Sequence, residues 1–333
     1  MHMADALVSP AVGGTMLAVS AAAIACSAAK IKKEDLAEKK LPIMGIMGAF
    51  MFAAQMINFT IPGTGSSGHI GGGMLLAAVL GPFPALITIS AVLIIQCLFF
   101  ADGGLLALGC NIFNMGVIPC LLVYPLIFKP IAKKMNPKSL SAASVISVVV
   151  ALQLGAFSVV LETLISKITA LPFSTFVLFM QPIHLAIGLV EGIITAAVLC
   201  FILKARPEIL DANGGNSNNA PVKNILIALT VLTLAVGGIL SMFASSYPDG
   251  LEWSIAGVTG SDSLETDGSS VYGTFSDIQE KTSVMPDYDY KSANGEGSST
   301  GTSVAGIAGG AAVFALSAAA GAAIKLFKKA RSS

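Results

Sequence analysis

Long apolar runs constrain this 333-residue chain more than any other feature of its sequence. A helix needs about 20 mostly apolar residues to cross the hydrocarbon core of a bilayer. Hydrophobic residues make up 54% of the chain and charged residues only 11%, whereas a soluble domain carries roughly 25% charged residues. The candidate spans are residues 11–29, 42–60, 69–82 (a short one), 83–101, 106–128, 140–161, 179–203, 223–244 and 303–325. The sequence therefore predicts an all-α polytopic membrane protein with about nine transmembrane helices.

The positions of the basic residues predict how these helices are oriented. If the N-terminus is outside, the cytoplasmic segments are residues 30–41, 129–139, 204–223 and 325–333, which hold 16 of the 19 Lys and Arg residues. Such an excess is typical of cytoplasmic loops. No basic segment precedes the first apolar run, which is therefore predicted to be a retained helix and not a cleaved signal peptide. No basic patch is left for nucleic acid, so that class of partner is excluded.

The first two residues, Met1 and His2, form a candidate metal-binding terminus. A free α-amine, the next peptide nitrogen and the imidazole of His2 can close two fused chelate rings around one ion. The nitrogen donors then lie nearly in one plane, which suits Ni(II) or Cu(II). The site requires that Met1 is retained and uncapped. Taken alone, His2 would more often be an ordinary residue of a frayed terminus, so the interpretation depends on the rest of the chain.

The predicted topology places all three histidines of the chain on the outer side. His69 follows a predicted outer turn at residues 62–68, and His184 lies near the outer end of the seventh span. Glycines surround His69 in sequence, at Gly65, Gly68, Gly71, Gly72 and Gly73. Glycines permit the close backbone approach that a terminus threaded between helices requires. A ring nitrogen of His69 would complete a four-nitrogen plane. The alternative is a water-facing histidine at the start of a helix.

Four segments of the chain carry a family resemblance, namely residues 1–10 (MHMADALVSP), 67–69 (SGH), 109–116 (GCNIFNMG) and 184–195 (HLAIGLVEGIIT). Together they resemble the CbiM/NikM family, the substrate-binding S components of energy-coupling-factor transporters for cobalt and nickel. The resemblance implies a seven-helix S component over residues 1–205 in a prokaryotic cell (inner) membrane. It also implies Ni(II) or Co(II) held by the Met1 amine, His2 and His69 as cargo, without a resident cofactor. The partners it implies are a transmembrane coupling subunit and ATPase subunits.

The chain departs from the commoner form of this family directly after His2. It reads Met-Ala-Asp-Ala-Leu where the commoner form has Ile-Pro-Asp-Gly, so the position of Asp5 is kept. The choice between nickel and cobalt therefore stays open. Further candidates for supporting the metal, or for its pathway, are Asp5, Ser67, Asn111, Asn114, His184 and Glu191.

A second resemblance begins past residue 220. Residues 247–253 (YPDGLEW) are similar to the PDGLE module, a two-span accessory segment of the NikN type. This implies a domain at 223–333, joined by a cytoplasmic linker at 206–222 and carrying an outer loop at 245–302. Ten acidic residues and two lysines between Asp249 and Glu296 give this loop a net charge of −8. The loop either concentrates cations near an entrance or is a solvated, partly disordered connector, and its composition favours the connector.

Glu191 is predicted to lie inside the seventh span. It follows His184 by seven residues, hence on the same helix face and about 10 Å deeper. Buried acids in a membrane mark ion routes or polar bridges. Glu191 either relays the metal or hydrogen-bonds an amide, with Asn111, Asn114 and Gln153 as the candidate partners. The polar bridge is slightly favoured, because a binding subunit requires a rigid site.

The chain contains no Walker motif, so the energy for uphill transport must come from partners. Small residues at helical spacing offer two candidate docking faces, Ala49 with Ala53 on the second span and Ala18 with Ala22 on the first. In S components such stripes bind the coupling subunit, which is what the resemblance implies here. Ordinary packing within the bundle explains any one pair equally well.

Two other functions fit parts of the sequence. Gly65-Ser66-Ser67-Gly68 matches the nucleophile motif of rhomboid intramembrane serine proteases, with His184 as a conceivable base. A proton-coupled secondary carrier could use Glu191 and His184, although no internal repeat is visible. Mutation of His2 separates the three hypotheses, because only the metal-binding S component should lose binding.

Overall fold

The computed structural model of the chain describes residues 1–31, 40–205, 207, 210, 223–262, 264, 270–290 and 299–330. Its helices are α1 (Pro10–Lys30), α2 (Lys40–Gln55), α3 (Gly73–Leu80), α4 (Pro82–Phe100), α5 (Leu108–Ile112), α6 (Lys129–Ile131), α7 (Pro137–Ser166), α8 (Phe173–Ala205), α9 (Lys223–Gly238), α10 (Gly250–Thr259), α11 (Ser270–Thr282) and α12 (Ser299–Ala330). Short 3-10 turns lie at Asp5–Leu7, Ala132–Lys134, Leu240–Phe243 and Pro286–Tyr288. The predicted linker at 206–222 lies outside the described residues, apart from 207 and 210.

Six helical segments in the described part of the chain are long and apolar enough to cross a membrane. They are Pro10–Lys30, Pro82–Phe100, Leu108–Lys134, Pro137–Ser166, Phe173–Ala205 and Thr300–Lys328. Two more apolar helices are shorter, at Pro42–Gln55 and Ile227–Phe243. The chain is therefore a multi-pass membrane protein. Residues 69–72 are not helical and α3 has only eight residues, so the prediction of a helix beginning at His69 was wrong.

A small β-hairpin interrupts the helical architecture between α2 and α3. Strand β1 (Phe59–Ile61) pairs antiparallel with β2 (Ser66–Gly68), and Thr60 lies opposite Ser67. The predicted span at 42–60 therefore ends early, at Gln55, and an all-α fold is not fully correct. The turn between the strands contains Gly63 and Gly65 with φ angles of 77° and 72°, a conformation that glycine adopts without steric cost.

The segment predicted to span at 106–128 begins as α5 and continues as a π-helix over Phe113–Phe128. Pro119 and Pro125 lie inside it. Proline has no N–H to donate and its ring crowds the preceding turn, so a regular α-helix is disfavoured there. The i→i+5 bonding of a π-helix is rare and occurs mostly as local bulges within α-helices.

The helices of the C-terminal region pack against those of the N-terminal region. Helices α9 and α12 both contact α2, and α12 also contacts α4. Ala53 is fully buried, and an added Cβ at Gly237 would lie 3.2 Å from its Cβ atom. Ala49 is also buried. This face of α2 is therefore occupied by packing within the chain, which is the alternative that the sequence left open. Ala18 and Ala22 are exposed on α1.

The outer segment after residue 245 is more ordered than a connector. It forms α10 and α11, which contact α8 and α4 respectively. Asp249 caps the start of α10 as part of a capping box: its side chain accepts hydrogen bonds from the N–H groups of Leu251 and Glu252, and the Glu252 side chain accepts one from the Asp249 N–H. The preference for a disordered connector was thus wrong for residues 250–259 and 270–290, since local caps and long-range packing stabilise them.

Candidate metal centre

The N-terminus is threaded into the helical bundle. The side chains of Met1 and Met3 are 7% and 0% exposed. Asn111 fixes Met3 from both sides, since its Oδ1 accepts from the Met3 N–H at 2.7 Å and its Nδ2 donates to the Met3 carbonyl at 3.2 Å. The N–H of Gly104 donates to the same carbonyl at 2.8 Å. Asn111, which was predicted to support the site, therefore does so by holding the backbone of Met3, the residue after His2.

Asp5 anchors the next turn of the terminus. Its Oδ1 accepts a hydrogen bond from the backbone N–H of Ala107 at 3.0 Å. Burial raises the pKa of this carboxyl above its usual value, although backbone hydrogen bonds from Ala107 and its neighbours oppose the rise. After Asp5 the chain turns into α1, whose first turn is capped by Ser9. Asp5 thus holds the N-terminal segment against the chain at Ala107.

The amine of Met1 lies between a ring nitrogen and a carboxylate. Its nitrogen is 3.1 Å from His69 Nε2 and 2.8 Å from Asp249 Oδ2. His69 Nδ1 is 3.3 Å from the carbonyl oxygen of Ile70. Because a carbonyl only accepts, Nδ1 carries the proton and the Nε2 lone pair faces the amine. Histidine ligands of metals commonly show this arrangement, with one nitrogen donating to a carbonyl and the other free to bind.

The ring of His2 stacks on the ring of His69, with centroids 5.0 Å apart and an interplanar angle of 18°. Its Nε2 is 3.2 Å from Gln96 Oε1, and its Nδ1 is 3.2 Å from Asp102 Oδ1. Gln96 donates its own amide to Gln55 Oε1, which turns Gln96 Oε1 toward His2. A neutral ring carries one N–H and can therefore donate either from Nε2 to Gln96 or from Nδ1 to Asp102, and only the first tautomer leaves the Nδ1 lone pair free.

The electrostatics of the site favour neutral imidazole and ionised Asp249. Burial, reinforced by the nearby Met1 ammonium, lowers the pKa of His2 to about 3. Burial raises the pKa of Asp102, whose second oxygen accepts from the Tyr288 hydroxyl. Burial alone would also raise the pKa of Asp249, but the ammonium of Met1, which also donates a hydrogen bond to this carboxylate, holds its pKa well below its usual range. The imidazole of His2 is thus already in the form that binds metals.

A cavity of about 480 Å³ adjoins these groups. His2 and His69 line it, together with carboxylates from both halves of the chain, namely Asp5, Asp102, Asp249, Glu252 and Asp287. Within the described ranges, no group of three or more His, Cys, Asp and Glu side chains is arranged to hold an ion. The terminal amine of Met1 lies beside His69 and Asp249 at the edge of this region.

Ser67 joins the hairpin to the C-terminal region. Its hydroxyl donates to the carbonyl of Tyr247 at 2.7 Å and its N–H donates to the carbonyl of Pro248 at 2.8 Å. His184 donates from Nδ1 to the carbonyl of Met180, and its Nε2 has no hydrogen-bond partner within the described part of the chain. Ser67 and His184, which the protease hypothesis pairs as nucleophile and base, thus donate hydrogen bonds to different carbonyls.

Glu191 forms a polar bridge, although not with the predicted partners. Its two carboxylate oxygens accept from the N–H groups of Gly71 and Gly72, each at 2.9 Å. The amides expected to contact it are used elsewhere: Asn111 holds Met3, Asn114 donates to Glu162 Oε2 at 2.8 Å, and Gln153 donates to the carbonyl of Gln181. Glu191 therefore fixes the glycine segment that follows His69.

Sequence reasoning missed four residues of this region. Asp249 was assigned to an outer connector, although it lies in the quoted PDGLE segment. Asp102 follows α4 directly, and Gln96 is an amide in an otherwise apolar run, which is a signal of function or bridging in a membrane helix. Glu162 is a second buried carboxylate, only 5% exposed, beyond the predicted end of its span.

Comparison with known proteins decides the family. Residues 2–209 match CbiM, described as a cobalt uptake substrate-specific transmembrane region. The chain belongs to the CbiM family. Residues 223–326 match the PDGLE domain, and these two parts are called the CbiM region and the PDGLE region below.

Relatives cover the CbiM region alone or both regions. A protein of Archaeoglobus fulgidus, assigned by name to the fused nickel transport proteins (NikMN), is 31% identical over 95% of this chain and 96% of its own length. The cobalt transport protein CbiM of Geobacter sulfurreducens is 26% identical over 72% of each chain. A crystal structure of a truncated transition metal transporter is 30% identical and superposes with a TM-score of 0.51, covering 61% of this chain and 99% of that one. The CbiM region thus shares its fold with a metal transporter.

Proposed function

We propose that the chain captures Ni(II) or Co(II) at the outer face of a prokaryotic cell (inner) membrane and delivers the ion through an ATP-driven energy-coupling-factor complex. The observation that carries this proposal is the 3.1 Å approach of the Met1 nitrogen to His69 Nε2, with the ring of His2 stacked on His69. Three of the four predicted donors are thereby neighbours, since the amine lies beside His69 and the ring of His2 stacks on that of His69. The fourth donor is the His2 peptide nitrogen, which lies between the Met1 amine and the His2 ring in the covalent structure.

Capture exchanges protons and hydrogen bonds for metal bonds. The ammonium that now donates toward His69 Nε2 must lose a proton before its nitrogen can bind an ion, and the peptide nitrogen must lose its own. His69 Nε2 already has a lone pair available, and His2 Nδ1 has one when the ring donates from Nε2 to Gln96. Closing the second chelate ring requires Nδ1 to replace its contact with Asp102 by a bond to the metal. A planar nitrogen set suits Ni(II), and the names of the relatives include both metals.

The proposed orientation follows the positive-inside rule, with the N-terminus outside and about nine crossings. The third crossing is then residues 69–80, of which α3 alone is helical. Non-helical backbone at membrane depth requires internal partners, and Glu191 supplies them at Gly71 and Gly72. The exposed face of α1 with Ala18 and Ala22 is the proposed contact for the coupling subunit.

Metal uptake by cells tests this function. Cells that express the chain with coupling and ATPase subunits should accumulate radioactive nickel or cobalt, and cells with an inactive ATPase should not. His2→Ala should abolish accumulation while the membrane level of the protein is unchanged. Accumulation that is independent of ATPase activity, or insensitive to His2→Ala, would contradict the proposal.

A further inference from the structure

We propose that Asp249 of the PDGLE region is a positioning residue of the metal site in the CbiM region, so that the site is complete only when both regions are present. The inference rests on the proposed function. It assigns to the accessory region a direct role: Asp249 holds the terminal amine at His69 and balances the charge of the captured ion.

The two oxygens of Asp249 have separate partners. Oδ1 accepts from the N–H groups of Leu251 and Glu252, at 2.7 Å and 2.9 Å, and so caps α10. Oδ2 lies 2.8 Å from the Met1 nitrogen and 3.8 Å from His69 Nε2. The cap fixes the direction of the carboxylate. One oxygen is therefore held by its own helix, while the other faces the amine across 248 positions of sequence.

The turn that carries Asp249 is attached to the CbiM region by hydrogen bonds on both sides of the residue. Before it, the carbonyls of Tyr247 and Pro248 accept from Ser67. After it, the indole N–H of Trp253 donates to the carbonyl of Thr64 at 2.9 Å. The hairpin that precedes His69 thus also positions Asp249.

Gly250 allows this turn to approach α8 closely. An added Cβ at Gly250 would lie 2.8 Å from Ile187 Cδ1 and 3.1 Å from His184 Cε1, closer than ordinary van der Waals contact. A Cβ there would require Ile187, the His184 ring or the turn itself to shift. The close approach of the turn that carries Asp249 therefore favours glycine at this position.

Charge explains why a carboxylate is needed at the amine. Before capture, the ammonium and Asp249 form a partly buried neutral pair. A divalent ion bound through neutral amine, neutral imidazoles and one deprotonated peptide nitrogen leaves a net charge of one positive unit among these groups. A buried uncompensated charge is strongly destabilising, and Asp249 compensates it. A metal-bound amine keeps two N–H groups, so one of them can still donate to Oδ2. Such partners of metal ligands typically change affinity by about 10–100-fold.

The test is the affinity of the purified full chain for Ni(II) in Asp249→Asn and Asp249→Ser. Asparagine and serine both cap helices, so each variant keeps the cap and removes the carboxylate from the amine. We expect affinity to fall about 10–100-fold, with the visible absorption spectrum of bound Ni(II) unchanged, because the donors stay the same. Gly250→Ala should weaken binding without changing any charge. Asp277→Asn is the matched control, since it removes one exposed carboxylate of the same region, and it should leave the affinity unaltered.

Each outcome supports or overturns the inference. Variants of Asp249 that bind Ni(II) as tightly as the unmodified chain would overturn it, and the proposed function would stand. A changed spectrum would make Asp249 a direct ligand and would overturn its positioning role. An unmodified chain that binds no Ni(II) would contradict the proposed function itself, and this inference with it.

Discussion

The nitrogen of Met1 lies 3.1 Å from His69 Nε2, although 68 positions separate the two residues in the chain. The contact is partly buried, and Met3, Asn111 and Asp249 hold the terminus that makes it. An amine and a ring nitrogen at this separation can share a proton or, after small movements, a metal ion. The predictions below test what each neighbouring group contributes to that arrangement.

His69→Ala should abolish tight Ni(II) binding, because it removes a donor, whereas Ser67→Ala should weaken binding only slightly. The Ser67 hydroxyl donates one neutral hydrogen bond to Tyr247, and such a bond contributes about 1 kcal/mol, which corresponds to roughly fivefold in affinity. Calorimetric titration of both variants measures this. A proteolytic activity that disappears in Ser67→Ala would instead favour the protease hypothesis.

Asn111→Ala should release the terminus. The change removes both hydrogen bonds to Met3 and leaves its buried N–H without this acceptor, at a cost of about 1–3 kcal/mol. The Met1 amine should then react faster with an amine-specific label, as measured by mass spectrometry of the N-terminal peptide. Asn136→Ala, which disrupts the cap of α7, serves as the control. Equal labelling rates in the two variants would show that Asn111 does not hold the terminus.

Glu191→Gln should lower the melting temperature of the detergent-solubilised protein. An ionised carboxylate accepts from both Gly71 and Gly72, whereas an amide offers one acceptor and directs N–H groups at the other donor. Hydrogen bonds to charged groups contribute about 1.5–3 kcal/mol. The exposed Asp277→Asn should have no such effect. A variant that melts normally and binds metal, yet fails in uptake, would favour the metal-relay hypothesis over the structural bridge.

Metal binding should release about two protons per ion near pH 7. The pKa of His2 is lowered by burial to about 3, and the hydrogen bonds of His69 assign it the neutral form, so neither ring releases a proton above pH 6. The protons come from the ammonium and the peptide nitrogen. Affinity should fall steeply from pH 8 to 6, by up to about a hundredfold per unit. Calorimetry in buffers of different ionisation enthalpy counts the protons, and a release of three or four, or none, would contradict this assignment.

The same lowered pKa makes the fold sensitive to acid. His2 titrates near 3 in the folded chain and near about 6.5 in a model peptide, so between these values the unfolded chain binds more protons. Its contribution to stability is therefore fully present above about pH 6.5 and is lost as the pH falls toward 3. His2→Gln should reduce this acid sensitivity in thermal unfolding measured between pH 4 and 7.

The apolar helices could be predicted from the sequence because each depends on local composition and length. The approach of His2 to His69 was expected from topology and from the surrounding glycines, and the structure brings both residues to the Met1 amine; their role as ligands stays a prediction. The contact of Asp249 with Met1 could not be predicted, because it depends on how the PDGLE region packs on α8. Likewise, Glu191 accepts from backbone N–H groups of a non-helical segment, which no residue pattern indicates. The β-hairpin was missed because its strands have only three residues each.

The central claim is that the terminal amine is a ligand, and X-ray absorption at the nickel edge tests it directly. The unmodified chain should bind one Ni(II) with about four nitrogen donors in a plane, two of them imidazole. The same chain with one alanine inserted before Met1 should remain folded and bind no Ni(II), because the amine moves away from His69 and Asp249. Planar nitrogen coordination of equal affinity in the extended chain, or oxygen coordination in the unmodified one, would contradict the account.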